Sequence, residues 1–135
     1  NKLDLKYAMS VVSHVTHVQT LHKGEAIGYG GTYVAKEDMK TATVPIGYAD
    51  GWHRSLSNKG VVLINGKRCP IVGRICMDQF MVACDDEVRP GDEVVLMGKQ
   101  GEEEITVDEV SATAETIPHE IMCDLKRISR VFVEK

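Results

Sequence analysis

The chain has 135 residues, 16 of them basic and 20 acidic, for a net charge of −4. That length fits one domain, and a 43% hydrophobic content is enough to build a core. Lys and Arg are scattered, and the densest run of charge, Glu102, Glu103 and Glu104, is acidic, which argues against nucleic acid as a partner. No apolar stretch approaches the roughly 20 residues of a spanning helix, and no signal-peptide pattern is read at the start. Cys69, Cys76, Cys84 and Cys123 include no C-x-x-C spacing and read as reduced thiols of a cytosolic protein. The chain begins at Asn1 rather than Met, as expected of a processed chain or a piece of a longer one.

In chain order, residues 11–21 are rich in Val, Thr and His and predict a strand, and 41–46 a second. Residues 61–64 and 68–72 flank Asn65-Gly66, the strongest short hairpin signal, because both turn positions need φ > 0. Residues 74–83 alternate and predict a longer strand, Arg89-Pro90-Gly91-Asp92 a turn, and 93–97 with 104–107 a further hairpin across a 98–101 loop. Thr106 followed by Glu109 suggests a capping box, opening a helix over 108–115 that ends before Pro118. A second short helix is expected over 119–125, and a return to strand over 128–133. Many short strands joined by Gly and Pro turns predict a mostly β fold, a small closed or partly closed β-barrel with one or two short helices near the C-terminus.

The candidate chemical groups are few. His14, His17 and His22 cluster in sequence, but three-residue spacing puts the first two on opposite faces of a strand, so no metal site is expected. Gly28-Tyr29-Gly30-Gly31-Thr32-Tyr33 fails the dinucleotide pattern at its sixth position and instead holds a tyrosine between glycines. Spacing alone favours a tight turn with an exposed tyrosine. Pro45-Ile46-Gly47-Tyr48-Ala49-Asp50-Gly51-Trp52 joins turn residues to two large aromatics, which pack or recognise something. In Gly73-Arg74-Ile75-Cys76-Met77-Asp78-Gln79, an extended backbone would put Arg74, Cys76 and Asp78 on one face, where Arg74 and Asp78 could pair. Cys76 beside an acid has no assured base and is no nucleophile signature.

Together, in this order and spacing, these three glycine-bearing segments resemble the C-terminal domain of alanine racemases, and the resemblance extends over nearly the whole chain. It implies a mostly β domain that follows a (β/α)8 barrel, with pyridoxal 5′-phosphate bound by that N-terminal barrel domain, absent here, through a lysine on it. It further implies a head-to-tail homodimer in which this domain completes the active site of the second subunit. The reaction so implied is interconversion of L- and D-alanine by two bases on opposite faces of the small amino-acid substrate. Tyr29 maps to the tyrosine acid/base; since a free tyrosine titrates near 10, the site must favour its phenolate. Met77 maps to the backbone amide that contacts the substrate carboxylate, Tyr48 and Arg54 to the lining of the access path, and Arg74, Cys76 and Asp78 to supporting positions. The family's role implies D-alanine supply for peptidoglycan, in the cytoplasm or on the cytoplasmic side of a membrane-anchored parent.

This sequence departs from the family in one place. Many members carry a tyrosine near the end of the domain, whereas residues 123–130 contain none and look one residue shorter. That keeps serine open as the alternative substrate. A stand-alone β-barrel interaction module without catalysis is the non-enzyme alternative.

Overall fold

The computed structural model describes residues 9–27, 33–116, 118, 120–121 and 130–132. Eleven strands occur among them: β1 (Met9–His14), β2 (His17–Leu21), β3 (Ala26–Ile27), β4 (Tyr33–Val34), β5 (Met39–Val44), β6 (Val61–Ile64), β7 (Lys67–Val72), β8 (Phe80–Cys84), β9 (Glu93–Gln100), β10 (Glu103–Ile105) and β11 (Arg130–Phe132). They are joined by α-helix α1 (Val107–Ala114) and two single turns of 3-10 helix, Tyr48–Asp50 and Arg54–Leu56.

Nine strands form one antiparallel sheet in the order β11-β1-β9-β6-β7-β8-β5-β2, with β10 added beside β9, while β3 and β4 pair separately. β1 and β2 lie near opposite ends of that order, yet only two residues separate them in sequence. The sheet must therefore curl to bring its ends together, since two residues reach no further than about 10 Å. Pairing does not complete the ring among the described residues, so the fold is the partly closed form of the expected barrel, not the closed one.

The 11–21 strand is two strands, and the reason lies in its hydrogen bonds. Val15 N–H donates to Asp92 O, on the β9 side, and Thr16 N–H donates to Thr43 O of β5. The chain changes partner between those two residues, and the buried Val15 marks the corner. The Asn65-Gly66 hairpin forms as the sequence predicts, with φ of 55° and 75° and Ile64 opposite Lys67. The second hairpin turns later than expected, because β9 runs through Gly98 to Gln100 before pairing Glu103.

The 74–83 strand is corrected more deeply. Only its end is extended, as β8, and 73–79 is a loop. Gly73, at φ 80°, turns the chain out of β7, and Cys76 N–H closes a turn on Gln79 O at 2.9 Å. Alternation along the sequence is real there, but the neighbouring loop takes the backbone bonds a sheet partner would need.

Trp52, Phe80, Leu56, Leu63, Ile64 and Leu96 are the largest side chains of the main core, and all are buried. Leu21, Ile27, Ala35 and Val72 make a smaller cluster beneath the β3–β4 pair. Helix α1 begins one residue earlier than expected, at Val107, and ends on Glu115 at φ 60°. Thr106 Oγ1 accepts the Glu109 N–H at 3.1 Å, which is half of the expected capping box. Glu109 uses its carboxylate elsewhere, on Arg68, which also bonds Glu103 at 3.0 Å and the Glu104 carbonyl at 2.8 Å. These bonds hold the Arg68 guanidinium protonated well above its ordinary range, Glu109 first, and tie β7 to β10 and α1.

The other end of α1 braces the segment that matters next. Ser55 Oγ donates to the Ala114 carbonyl at 3.1 Å, and Lys59 pairs with Glu115 at 3.1 Å. The expected 119–125 helix lies mostly outside the described residues, although Pro118, Glu120 and Ile121 are helical. The expected strand near the end is present as β11. No helix among the described residues is long and apolar enough to cross a membrane.

Candidate functional site

Two loops meet at one edge of the sheet, and their backbones lock together. The segment after β5 passes through Gly47, and a Cβ there would run into the carbonyls of Cys76 and Met77. Only glycine allows that approach. With the space open, Tyr48 N–H donates to Cys76 O and Ala49 N–H to Met77 O, both at 3.0 Å. Asp50 finishes the turn by accepting the Gly47 N–H at 3.1 Å, and Gly51, at φ 102°, turns the chain on toward the buried Trp52.

A second clamp lies a few residues further on. Ser57 Oγ accepts the Ile75 N–H at 2.8 Å while donating to the Arg54 carbonyl at 2.6 Å. Asn58 Oδ1 accepts the Gly73 N–H at 2.7 Å, and Asn58 N–H donates back to Gly73 O at 3.1 Å. The 73–77 loop is thus fixed along its length by 47–58, which is itself braced on α1.

Between the loops is a cleft of about 350 Å³, lined by Tyr48, Arg54, Arg74, Ile75, Cys76 and Met77. Five of these are residues the sequence singles out: Tyr48, Arg54, Arg74, Cys76 and Met77. Asp78 is exposed and not part of the lining, and no ion pair joins it to Arg74, because 74–78 is not extended. The Arg54 guanidinium sits 5.0 Å from the centroid of the Tyr48 ring, in cation–π range. Neither Arg54 nor Arg74 has a carboxylate partner among the described residues, so an acidic chain presents two uncompensated cations to this cleft. Met77 is 57% exposed, and while its carbonyl is used by Ala49, its N–H has no acceptor among the described residues. Arg54, Arg74 and Met77 all line this cleft, and guanidinium and backbone N–H groups are donors suited to an anionic oxygen.

Tyr29, with residues 28–32, lies outside the described residues, as does the tyrosine-free stretch 123–129. What is described is the base of the Tyr29 segment. Ala26 pairs with Val34 and Ile27 with Tyr33, which brings the segment's two ends together. Ile27 also packs against Gly73, leaving 3.2 Å between its Cγ2 and where a Cβ at 73 would stand. The chain leading into Tyr29 therefore abuts the start of the cleft loop.

No lysine lines the cleft, so the described residues offer no amine to hold an aldehyde cofactor such as pyridoxal phosphate; they do not fit as its holder. Among the described residues no three His, Cys, Asp or Glu side chains come together as metal ligands. Cys69, Cys76 and Cys84 are free thiols. Ser57 and Asn58, which hold the cleft loop, escape the sequence reading. Their only signal is the turn-forming run Ser57-Asn58-Lys59-Gly60, which predicts a bend but not what the bend holds.

Among the described residues, a curled antiparallel sheet carries two interlocked loops with a cleft between them. The chain belongs to the alanine racemase C-terminal domain family, whose model matches residues 8–132. It is 54% identical over 136 residues to an alanine racemase of Cutibacterium acnes, covering 98% of this chain and 36% of that protein. It is 47% identical over 131 residues to alanine racemase 1 of Bacillus subtilis, covering 96% and 33%. Among solved structures, the alanine racemase from E. faecalis superposes with a TM-score of 0.84 at 49% identity, over 87% of this chain and 32% of that one. The alanine racemase from Bartonella henselae, described with covalently bound pyridoxal phosphate, gives 0.80 at 39% identity, over 87% and 33%. The chain spans about a third of the length of the relatives it matches.

Proposed function

We propose that residues 1–135 are the C-terminal domain of an amino-acid racemase that interconverts L- and D-alanine, and that the domain works on a cofactor and substrate held by a separate N-terminal barrel. The observation that carries this reading is the cleft itself. In a chain of this family, Arg54, Arg74 and Met77 line one cleft, and among the described residues neither guanidinium has a carboxylate partner and the Met77 N–H has no acceptor, which supports a carboxylate-binding role. Family membership and the names of the relatives support the reaction.

In this reading Met77 N–H holds the substrate carboxylate, which orients the α-carbon. Tyr48 and Arg54 line the way in, with the ring and guanidinium stacked to keep that path shaped. Arg74 adds positive potential, while Cys76 and Asp78 are support on the same loop. Tyr29, entering on the chain that abuts Gly73, serves one face of the α-carbon: it takes the proton from that face in one direction of the reaction and delivers a proton to it in the reverse direction. Pyridoxal phosphate, bound by the barrel, would acidify that proton. The proton on the opposite face falls to the barrel's lysine, so each site needs both segments, and the head-to-tail homodimer supplies them from two subunits. The parent is proposed to act on the cytoplasmic side and to supply D-alanine for peptidoglycan.

The absence of a tyrosine in 123–130 favours a second substrate, serine, within the same chemistry. Racemisation of L-alanine and L-serine by the full-length protein tests both. The reading expects a higher kcat/KM for alanine and a rise in KM when Arg54 is replaced by methionine. Absence of racemisation with either amino acid overturns it, and a preference for serine replaces the substrate.

A further inference from the structure

Away from the cleft, a groove of about 270 Å³ opens between β7 and β8, and two cysteines line it, Cys69 and Cys84. Their placement follows from register. Ile71 faces Val82 and Val72 faces Met81 in this antiparallel pair, so two residues further along Cys69 comes opposite Cys84. Ile71 N–H donates to Gly60 O, on the β6 side, and Cys69 pairs with Val62 of β6, so both turn their backbone polar groups away from β8. Cys69 and Cys84 are then a non-hydrogen-bonded pair, the closer kind, with Cα atoms about 4.5 Å apart in regular sheet. That lies inside the range of about 4.4–6.8 Å over which a disulfide closes.

The strands are held on both sides of the pair. Ile71 and Val82 are ladder partners on one side, and Lys67 Nζ meets Asp85 Oδ2 at 2.7 Å on the other. Pro70, which has no N–H, interrupts the ladder between them, and the groove opens there. Cys69 is buried at 5% exposure; Cys84 is only partly buried and so meets a reagent first.

We propose that Cys69 and Cys84 form a cross-strand dithiol site that exchanges with small-molecule disulfides of the glutathione class and closes to a disulfide between β7 and β8. Cys84, as thiolate, attacks one sulfur of the incoming disulfide and releases one small thiol, which takes up the proton Cys84 lost. Cys69 then attacks the Cys84 sulfur of the mixed disulfide and releases the second small thiol with its own proton. Two electrons pass from the protein to the small disulfide, and two S–H bonds are replaced by one S–S bond. Burial pushes both thiols up to about 11, so little thiolate is present near neutral pH and exchange speeds as pH rises. The bond would join the two strands that flank residues 73–79, and so fasten the base of the loop that carries Cys76 and Met77.

The test uses the folded full-length protein, reduced, then incubated with oxidised glutathione at mildly alkaline pH, alkylated and digested without reductant for mass spectrometry. The expected product is one peptide pair joined through Cys69 and Cys84, lighter by two hydrogens. The Cys69→Ala variant should stop at a glutathione adduct on Cys84. Three results overturn the proposal: both cysteines still alkylatable, a stable glutathione adduct on wild-type Cys84 with no joined pair, or a disulfide from Cys84 to Cys76 or Cys123.

Discussion

The sheet and the cleft are built by different physics. Along β6 to β8, apolar side chains from adjacent strands fill a shared core, so position is set by volume: Leu63, Ile64, Phe80 and Val82 are all at most 1% exposed. Around the cleft, Met77 and Tyr48 are well exposed and position is set by backbone hydrogen bonds between 47–58 and 73–77. A core of this kind tolerates exchange of one apolar residue for another of like volume. The loops tolerate almost none at Gly47, Ser57 or Asn58, but leave the lining side chains free to vary.

The contrast can be broken from either side. The largest effect is expected in the core, where Phe80→Ala removes a buried ring and should cost about 3–5 kcal/mol in chemical denaturation. Next is Gly47→Ala, which forces a methyl into the Cys76 and Met77 carbonyls. It should cost about 1–3 kcal/mol and lower racemisation by more than its stability loss explains, since it separates the two loops. Ser57→Ala strips the acceptor from Ile75 N–H and should cost about 1–2 kcal/mol, with KM moving more than kcat. The smallest change has the opposite sign. Thr41 is fully buried in β5, and its hydroxyl has no partner among the described residues. Thr41→Val keeps the shape and should stabilise by up to about 1 kcal/mol, raising the melting temperature with racemisation unchanged.

The same division decides what could be read in advance. Strand character, the Asn65-Gly66 turn and the Thr106 cap are local signals, set by residues within a few positions of one another, and they appear in the structure. Residues 11–21 and 74–83 mislead because alternation reports which side chains are apolar but not which partner strand takes the backbone bonds. At Val15 the partner changes, and at Gly73 the chain leaves the sheet. Five cleft residues were legible only because glycine-bearing segments in register resemble a family. Nothing local brings Arg54 beside Tyr48 or Ser57 beneath Ile75, contacts made by chain segments 6 and 18 residues apart.

Tyr29 is proposed as one of two proton-transfer groups of the racemase. The most direct measurement is exchange of the α-proton with deuterium from solvent, followed separately from L- and from D-alanine in the full-length Tyr29→Phe protein. Exchange is expected to persist from the enantiomer served by the other base, while exchange from its mirror image, and racemisation itself, fall by at least about 100-fold, the scale of a lost general acid–base. Wild-type exchange from both enantiomers, with racemisation intact, would contradict it.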